Sequence, residues 1–365
     1  MENALLEVAE LVRSGAANSV NAGSSPVLES KLLASDITEA FPDPVVVADG
    51  LGVDSWAMLL GWHAKGLKRP DAILFADTGD EKPETYKMIA VYNAWLASVG
   101  YPEITVLKKK SPKTGDTSLS GECLRKSVLP SLAYGGHSCS LKWKVEPQWA
   151  YCRDRYGWKR PRKKKGELEA PAGSWKHGPR IIKLIGYDAG PKDAKRIKNA
   201  IGKWPPGHQY LYPLAEWGWD RAKCIEVIKA AGLPGWDPAF LADDLVTFSK
   251  FSWIEKGGIP CKSSCFMCPA SQDAEILELA RNHPKLMERA LVMELKFFAK
   301  PRKCPDCSGA GAGCTRCAGT GELAKTVKGL GRSHSWKEIV EAPRAGCSGG
   351  CDNCDGVAFP MPKAA

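Results

Sequence analysis

Fourteen cysteines mark this 365-residue chain, and eight of them stand in four C-x-x-C pairs: Cys265/Cys268, Cys304/Cys307, Cys314/Cys317 and Cys351/Cys354. In a reducing compartment such pairs read as metal or cluster ligands rather than disulfides. The run CPDCSGAGAGCTRCAGTG holds two C-x-x-C-x-G repeats, whose glycines permit the tight knuckles that aim thiolates at one ion. Cys304, Cys307, Cys314 and Cys317 are expected to close a zinc site. Cys347, Cys351 and Cys354 either exchange with them or form another site with His334. Four thiolates leave no open coordination position, so the expected role is structural. A second constellation, Cys261-x3-Cys265-x2-Cys268, supplies three local ligands. Cys139 is the first choice for the fourth and Cys123 its rival, and the set suits either zinc or an iron–sulfur cluster.

Oxygen chemistry gathers elsewhere, between Val45 and Thr85. An apolar run ends in the turn Gly50-Leu51-Gly52-Val53-Asp54-Ser55, and helical periodicity follows through Trp56, Leu59, Leu60 and His63. A second apolar run, Ala72 to Ala76, ends in Asp77-Thr78-Gly79-Asp80-Glu81. This is a strand, turn, helix, strand unit with acids and hydroxyls at two carboxyl ends, where ligands bind in an open parallel sheet. Glycines let backbone approach closely, and a helix opening near Val53 directs N–H groups at an anion. No Gly-Lys-Ser/Thr follows, so the Walker pattern is absent, and Ser55 stands where a dinucleotide motif has its third glycine. An ordinary tight strand-to-helix turn is the plain alternative.

The elements that position these groups follow from pattern. Helices are expected within residues 1–40, around a Gly/Ser/Asn linker at 14–25. Strands and helices then alternate over 42–110, and residues 111–180 read as irregular. An apolar strand at 180–186 ends in Tyr187-Asp188, and Gln209 to Pro213 is a short extended piece. A helix from Asp220 to Ala231 has Asp220 as its N-cap, and a long helical segment covers 271–298 with an interruption near Pro284. The alternation predicts an α/β doubly wound, mainly parallel sheet with a small cysteine-rich zinc module. The expected domains are an N-terminal helical segment at 1–40, a sheet domain at 41–298 with a basic insertion at about 111–180, and a zinc-binding region at 299–365.

Several blocks resemble a known superfamily. Gly50 to Ser55 resembles the PP-loop, S-G-G-x-D-S, of ATP pyrophosphatases and phosphoadenosine phosphosulfate (PAPS) reductases, whose fold is adenine nucleotide alpha hydrolase-like. Phe75 to Gly79 with Pro83-Glu84-Thr85 resembles the second signature of the PAPS-reductase branch. Similarity continues through Ser138 to Lys144, Gly186 to Asp188, Tyr212 to Leu214 with Trp217, Ser264 to Pro269, and Gly329 to Arg332. The knuckle run resembles the zinc repeats of DnaJ-type chaperones. The chain departs from the PP-loop pattern at Gly50 and Leu51, and it lacks the Glu-Cys-Gly-type motif of assimilatory reductases.

The resemblance implies an ATP-dependent, adenylate-forming transferase that transfers sulfur to nucleic acid. Its cofactors would be ATP with Mg²⁺, Zn²⁺ and, in the sulfur-transfer relatives, a [4Fe-4S] cluster. It implies nucleotide contacts from Gly50, Leu51, Gly52, Val53, Asp54, Ser55, Asp77, Thr78, Lys142, Lys144 and Arg196. Asp54, Ser55, Asp77 and Asp188 would carry the catalytic roles, Asp54 either holding Mg²⁺ or capping its helix. A sulfur-donor protein would be a partner. Two other readings stand beside it: a sulfonucleotide reductase, and a non-catalytic nucleotide- or nucleic-acid-binding or assembly protein.

Composition sets bounds. Net charge is +10, and basic residues concentrate in the middle, at Lys108–Lys110, Lys142, Lys144, Arg153, Arg155 and Lys159–Lys165, with interleaved Trp and Tyr. That region suits nucleic acid, or simply a solvated basic loop. No apolar stretch approaches the roughly 18–20 residues a bilayer requires, and no basic-then-apolar leader opens the chain, so a cytoplasmic location without membrane partners is expected.

Overall fold

The computed structural model describes residues 8–10, 32–109, 114–158, 178–205, 207–232, 264–331 and 333–341. In chain order these form β1 (Val45–Asp49), α1 (Val53–Ala64), β2 (Ala72–Asp77), α2 (Pro83–Ser98), β3 (Ile104–Lys108), α3 (Leu119–Lys126) and α4 (Glu146–Tyr156). They continue through β4 (Ile181–Ile185), α5 (Pro191–Ala200), β5 (His208–Leu211), α6 (Arg221–Ala230), α7 (Asp273–Asn282), α8 (Pro284–Ala299), β6 (Arg302–Lys303), β7 (Glu322–Leu323) and α9 (Trp336–Glu341). No helix among the described residues is long and apolar enough to cross a membrane.

The chain divides into two compact units. The first comprises the described residues of Met1–Asp77, Lys82–Leu107 and Val145–Ser263, and the second those of Thr78–Glu81, Lys108–Lys144 and Ser264–Ala365.

The first unit is α/β, built on a five-stranded parallel sheet of order β3-β2-β1-β4-β5. Every residue of β2 is buried, as is all of β1 but Ala48, which is what central strands covered on both faces require. β3 alternates in burial and takes an edge. The order reverses at β1: β2 and β3 are laid down on one side, β4 and β5 on the other. The carboxyl ends of β1 and β4 therefore form the switch point of the sheet.

Local chemistry fixes the elements. Proline opens α2 and α5, where its missing N–H costs nothing. The Asp220 side chain caps α6 by accepting from the Lys223 N–H at 2.9 Å. Nine residues of α1 are buried, among them Gly61. A Cβ there would stand 2.6 Å from the Trp219 ring, so glycine is a packing requirement inside this helix.

The second unit packs α3, α7, α8 and α9 around Trp143, Phe266, Met287, Leu291, Met293 and Trp336, and it also contains the β6–β7 pair. Pro284 separates α7 from α8, as the sequence predicts. The buried Glu294 carboxylate accepts N–H groups of Leu330 at 2.6 Å and Trp336 at 3.0 Å, and so pins the Gly329-Leu330-Gly331 segment.

Two expectations are corrected. Residues 111–180, read as irregular, contain α3 and α4, because α3 is only eight residues long and α4 displays no apolar stripe. The second N-terminal helix, expected near 27–40, is within the described residues only a 3₁₀ turn at Ala34–Asp36. Most of the first N-terminal helix and the basic run 159–165 lie outside the described residues.

Candidate functional site

At the switch point β1 ends in Asp49, and the chain turns through Gly50, Leu51 and Gly52 into α1. Leu51 adopts the left-handed conformation, φ 56°, which costs a residue with a Cβ on the order of 1 kcal/mol. Its side chain is wholly buried, and that burial offsets the strain. Two amides expected to face phosphate are engaged inside the turn: Gly50 N–H donates to Ser55 Oγ at 3.2 Å, and Leu51 N–H to Asp49 Oδ1 at 2.7 Å. Gly52 is the N-cap of α1 and no side chain caps that end. The backbone at Gly52, Val53 and Asp54 thus carries the positive end of the helix dipole. Burial pushes the Asp49 carboxyl up to about 6, against the Leu51 N–H that lowers it.

Asp54 opens onto the loop after β4. Gly186 makes that approach sterically feasible, since a Cβ there would lie 2.9 Å from Ser55 Cα and N. Asp54, Asp188 and Asp193 consequently offer carboxylate oxygens within 4.8 Å of one another. Arg221 donates to Asp54 at 2.6 Å and Arg196 to Asp193 at 2.7 Å. The Arg196 guanidinium also lies over the Tyr187 ring, 5.7 Å from its centroid. Burial raises the Asp54 carboxyl, with Arg221 pulling the other way. Three carboxylates in this arrangement could hold a metal ion through hard oxygen ligands. Asp77, at the end of β2, accepts the Tyr86 hydroxyl at 2.7 Å.

In the second unit the structure brings together Thr78, Lys144 and Cys265. Thr78 Oγ1 is 3.2 Å from Cys265 Sγ. Residue 265 forms an antiparallel bridge with Glu81, whose carboxylate lies 4.0 Å from the thiol and accepts from Lys144 at 3.0 Å. Burial first and Glu81 second drive the Cys265 thiol well above its ordinary range. A turn from Cys265 to Cys268, closed by a 3.0 Å hydrogen bond, holds the C-x-x-C pair. Lys142, expected to clamp phosphate, instead pairs with Glu122, which also accepts from Lys126 and Trp143. Burial opposes ionisation of Glu122, yet the two lysines hold its carboxyl at about 2.

Cys139, half-buried, and Cys123, buried, line one cavity of about 300 Å³ with Tyr134, Lys142 and Trp143. Burial pushes the Cys123 thiol up to about 12. Among the described residues Cys139, Cys265 and Cys268 do not converge within 4.8 Å. Cys261, Cys347, Cys351 and Cys354 lie outside the described residues. His334 lies 3.8 Å from the Asp273 carboxylate.

Cys304, Cys307, Cys314 and Cys317 do come together, all four sulfurs within 4.8 Å. Cys304 and Cys314 are 3.7 Å apart, as are Cys307 and Cys317. Tetrahedral Zn–S bonds of about 2.3 Å require S···S separations of about 3.8 Å, so the group fits a metal ion such as zinc. The Gly311 N–H donates to Cys307 Sγ at 3.3 Å and the Gly321 N–H to Cys317 Sγ at 3.2 Å. The Gly311 bond leads in holding the Cys307 thiol down at about 7, which favours the thiolate ligand. Left-handed backbone at Ser308, Gly309, Gly311, Ala318, Gly319 and Gly321 makes the knuckles.

Sequence reasoning located Asp54, Asp188 and the four knuckle cysteines. It missed Asp193, Arg221 and Glu122, which only tertiary packing identifies, and it passed over Glu81 within the acidic cluster after β2. No protein-family model, curated protein or solved structure matches the chain.

Proposed function

We propose that this protein is a PAPS-reductase-like PP-loop enzyme that binds ATP at the β1/β4 switch point and transfers its adenylyl group. An acceptor oxygen attacks the α-phosphorus, the bond to the β-phosphate oxygen breaks, and pyrophosphate leaves. A sulfide-level sulfur from a donor protein then attacks the activated carbon of a nucleic-acid acceptor. A C–S bond forms, the C–O bond to the adenylate breaks and AMP leaves. One observation carries the nucleotide site: the uncapped start of α1 and the Asp54/Asp188/Asp193 group meet where the strand order reverses.

Each residue then has a task. Backbone at Gly52, Val53 and Asp54 faces the phosphate chain, and Arg196 and Arg221 supply positive charge at its edge. Mg²⁺, held by Asp54, Asp188 and Asp193, would neutralise charge developing on the phosphate oxygens. Tyr187, carrying the Arg196 guanidinium over its ring, offers a surface for the base. Asp77 lines the ribose side. The Cys265/Cys268 pair is assigned to sulfur chemistry on zinc or an iron–sulfur cluster. The Cys304–Cys317 zinc is structural, and the cytoplasm is the proposed location.

A specific observation favours a second reading, nucleotide binding without turnover: Gly50 and Leu51 amides are already bonded inside the turn. Calorimetry with MgATP and a pyrophosphate-release assay separate the two. Binding with pyrophosphate release, both lost in Asp188→Asn, supports the enzyme. Binding without release selects the second reading. Absence of binding overturns both.

A further inference from the structure

The end of α8 carries a surface that the proposed nucleotide site does not use. Phe298 and Tyr134 are each 44% exposed, unusual for large aromatic side chains on a described surface. Phe297 links them, 5.1 Å from Phe298 and 6.1 Å from Tyr134 between ring centroids. Cations surround this aromatic strip. Lys325 Nζ lies 4.5 Å from the Phe297 centroid and donates to the Lys300 carbonyl. Lys300 Nζ reaches the Lys126 carbonyl at 2.8 Å, and Arg302 donates to the Ala324 carbonyl at 3.1 Å. These contacts bring Lys300, Arg302 and Lys325 to the end of α8, beside the buried Phe297 ring that lies between the two exposed ones.

Helix capping accounts for part of this. Each lysine neutralises a helix-end carbonyl with one N–H, but an ammonium has three. The cations also crowd one another. Burial first, then Lys300 and Arg302, lower the Lys325 ammonium. Between residues 296 and 328 seven Lys or Arg face two Asp or Glu, and a zinc tetrathiolate would offset only two of the excess charges. A fold gains nothing from concentrating like charges beside exposed rings, whereas a flexible polyanion carrying planar groups satisfies both.

We propose that the face formed by Tyr134, Phe298, Lys300, Arg302 and Lys325 binds single-stranded nucleic acid, cations on phosphates and rings on bases. The test uses the full-length, zinc-loaded protein without ATP, titrated into a fluorescein-labelled oligothymidylate and read by anisotropy. Expected is binding that weakens as salt rises. The triple charge reversal Lys300→Glu, Arg302→Glu, Lys325→Glu should cost at least tenfold. It should also reduce the slope of log affinity against log salt by about 2, at about 0.7 per phosphate contact on a single strand. Phe298→Ala should cost about tenfold while leaving that slope unchanged. Zinc content and thermal midpoint confirm folding, and Arg302→Gln with Lys325→Gln gives a milder version of the charge test. An unchanged affinity in both charge variants overturns the proposal. So does a silent Phe298→Ala, or equal affinity for phosphatidylserine vesicles, either of which would mark a nonspecific anionic surface. ATP is absent throughout, so failure here leaves the nucleotide site untouched.

Discussion

Lys144 donates to Glu81 across 3.0 Å, and the Glu81 side chain it meets is completely enclosed. Burial alone would lower this ammonium, yet Glu81 and the Cys265 thiol beyond it raise it overall. Lys144 therefore stays charged throughout the physiological range. Lys144→Met strands a buried carboxylate and should cost about 2–4 kcal/mol in urea unfolding, less than a wholly buried pair because Lys144 is partly exposed. Glu81→Gln in the same chain should recover most of that loss. A double variant no better than Lys144→Met would show that the pair is not coupled.

Gly186 sets the distance between the β4 loop and α1. Gly186→Ala places a methyl group against Ser55 backbone, which has no rotamer with which to yield. The expected cost is about 1–3 kcal/mol from overpacking. Displacing Asp188 should also weaken MgATP binding beyond what the loss of stability explains, as calorimetry at a temperature where the variant is folded would read. Unaltered affinity would detach Gly186 from the nucleotide site.

Lys183 sits on β4, 3% exposed, 5.9 Å from the Tyr210 ring centroid. Burial drops its ammonium to about 8, slightly countered by Cys152. Lys183 thus carries fewer protons in the folded than in the unfolded state between pH 8 and the ordinary lysine value of 10.5. The contribution of Lys183 to stability should therefore rise with pH across that window, and below it the buried charge costs on the order of 3 kcal/mol. The difference between wild type and Lys183→Met reads this contribution apart from the buried thiols and phenols, whose raised values act in the opposite sense. Lys183→Met should stabilise the protein at pH 7 and flatten the slope. Chemical denaturation at pH 7 and pH 10 checks both.

The knuckle module should retain zinc through purification. Cys314→Ser should weaken retention by more than about 100-fold, beyond the effect of altering a ligand's hydrogen-bonding neighbour. Chelation should lower the thermal midpoint and speed amide exchange at Gly311 and Gly321, whose N–H groups face sulfur. Midpoint and exchange unchanged after zinc removal would mean that the thiol cluster holds its geometry without metal.

Much of the fold is legible in the residues. Val45-Val46-Val47 and the apolar run of β2 announce central strands, and Asp220 and Pro284 punctuate helices where the structure has them. α3 is not legible because it is only eight residues long, and α4 because Arg153 and Arg155 interrupt its apolar period. In the candidate site, Asp54 and Asp188 are visible as acids just past strand ends. Asp193 and Arg221 are invisible because spacing along the chain says nothing about which helices meet. The expected role of Lys142 as a phosphate clamp rested on charge, and the Glu122 carboxylate that engages it is contributed by a different helix, α3.

The bridge between Glu81 and Cys265 joins positions 184 residues apart. During synthesis the parallel sheet has all five strands once Leu211 has emerged from the ribosome. The smaller unit, by contrast, already has Thr78–Glu81 and α3 in hand but must wait for the final hundred residues. Nascent chains arrested before Cys265 should therefore resist protease over the sheet while remaining cleavable between Lys108 and Lys144, giving this protein a built-in order of assembly.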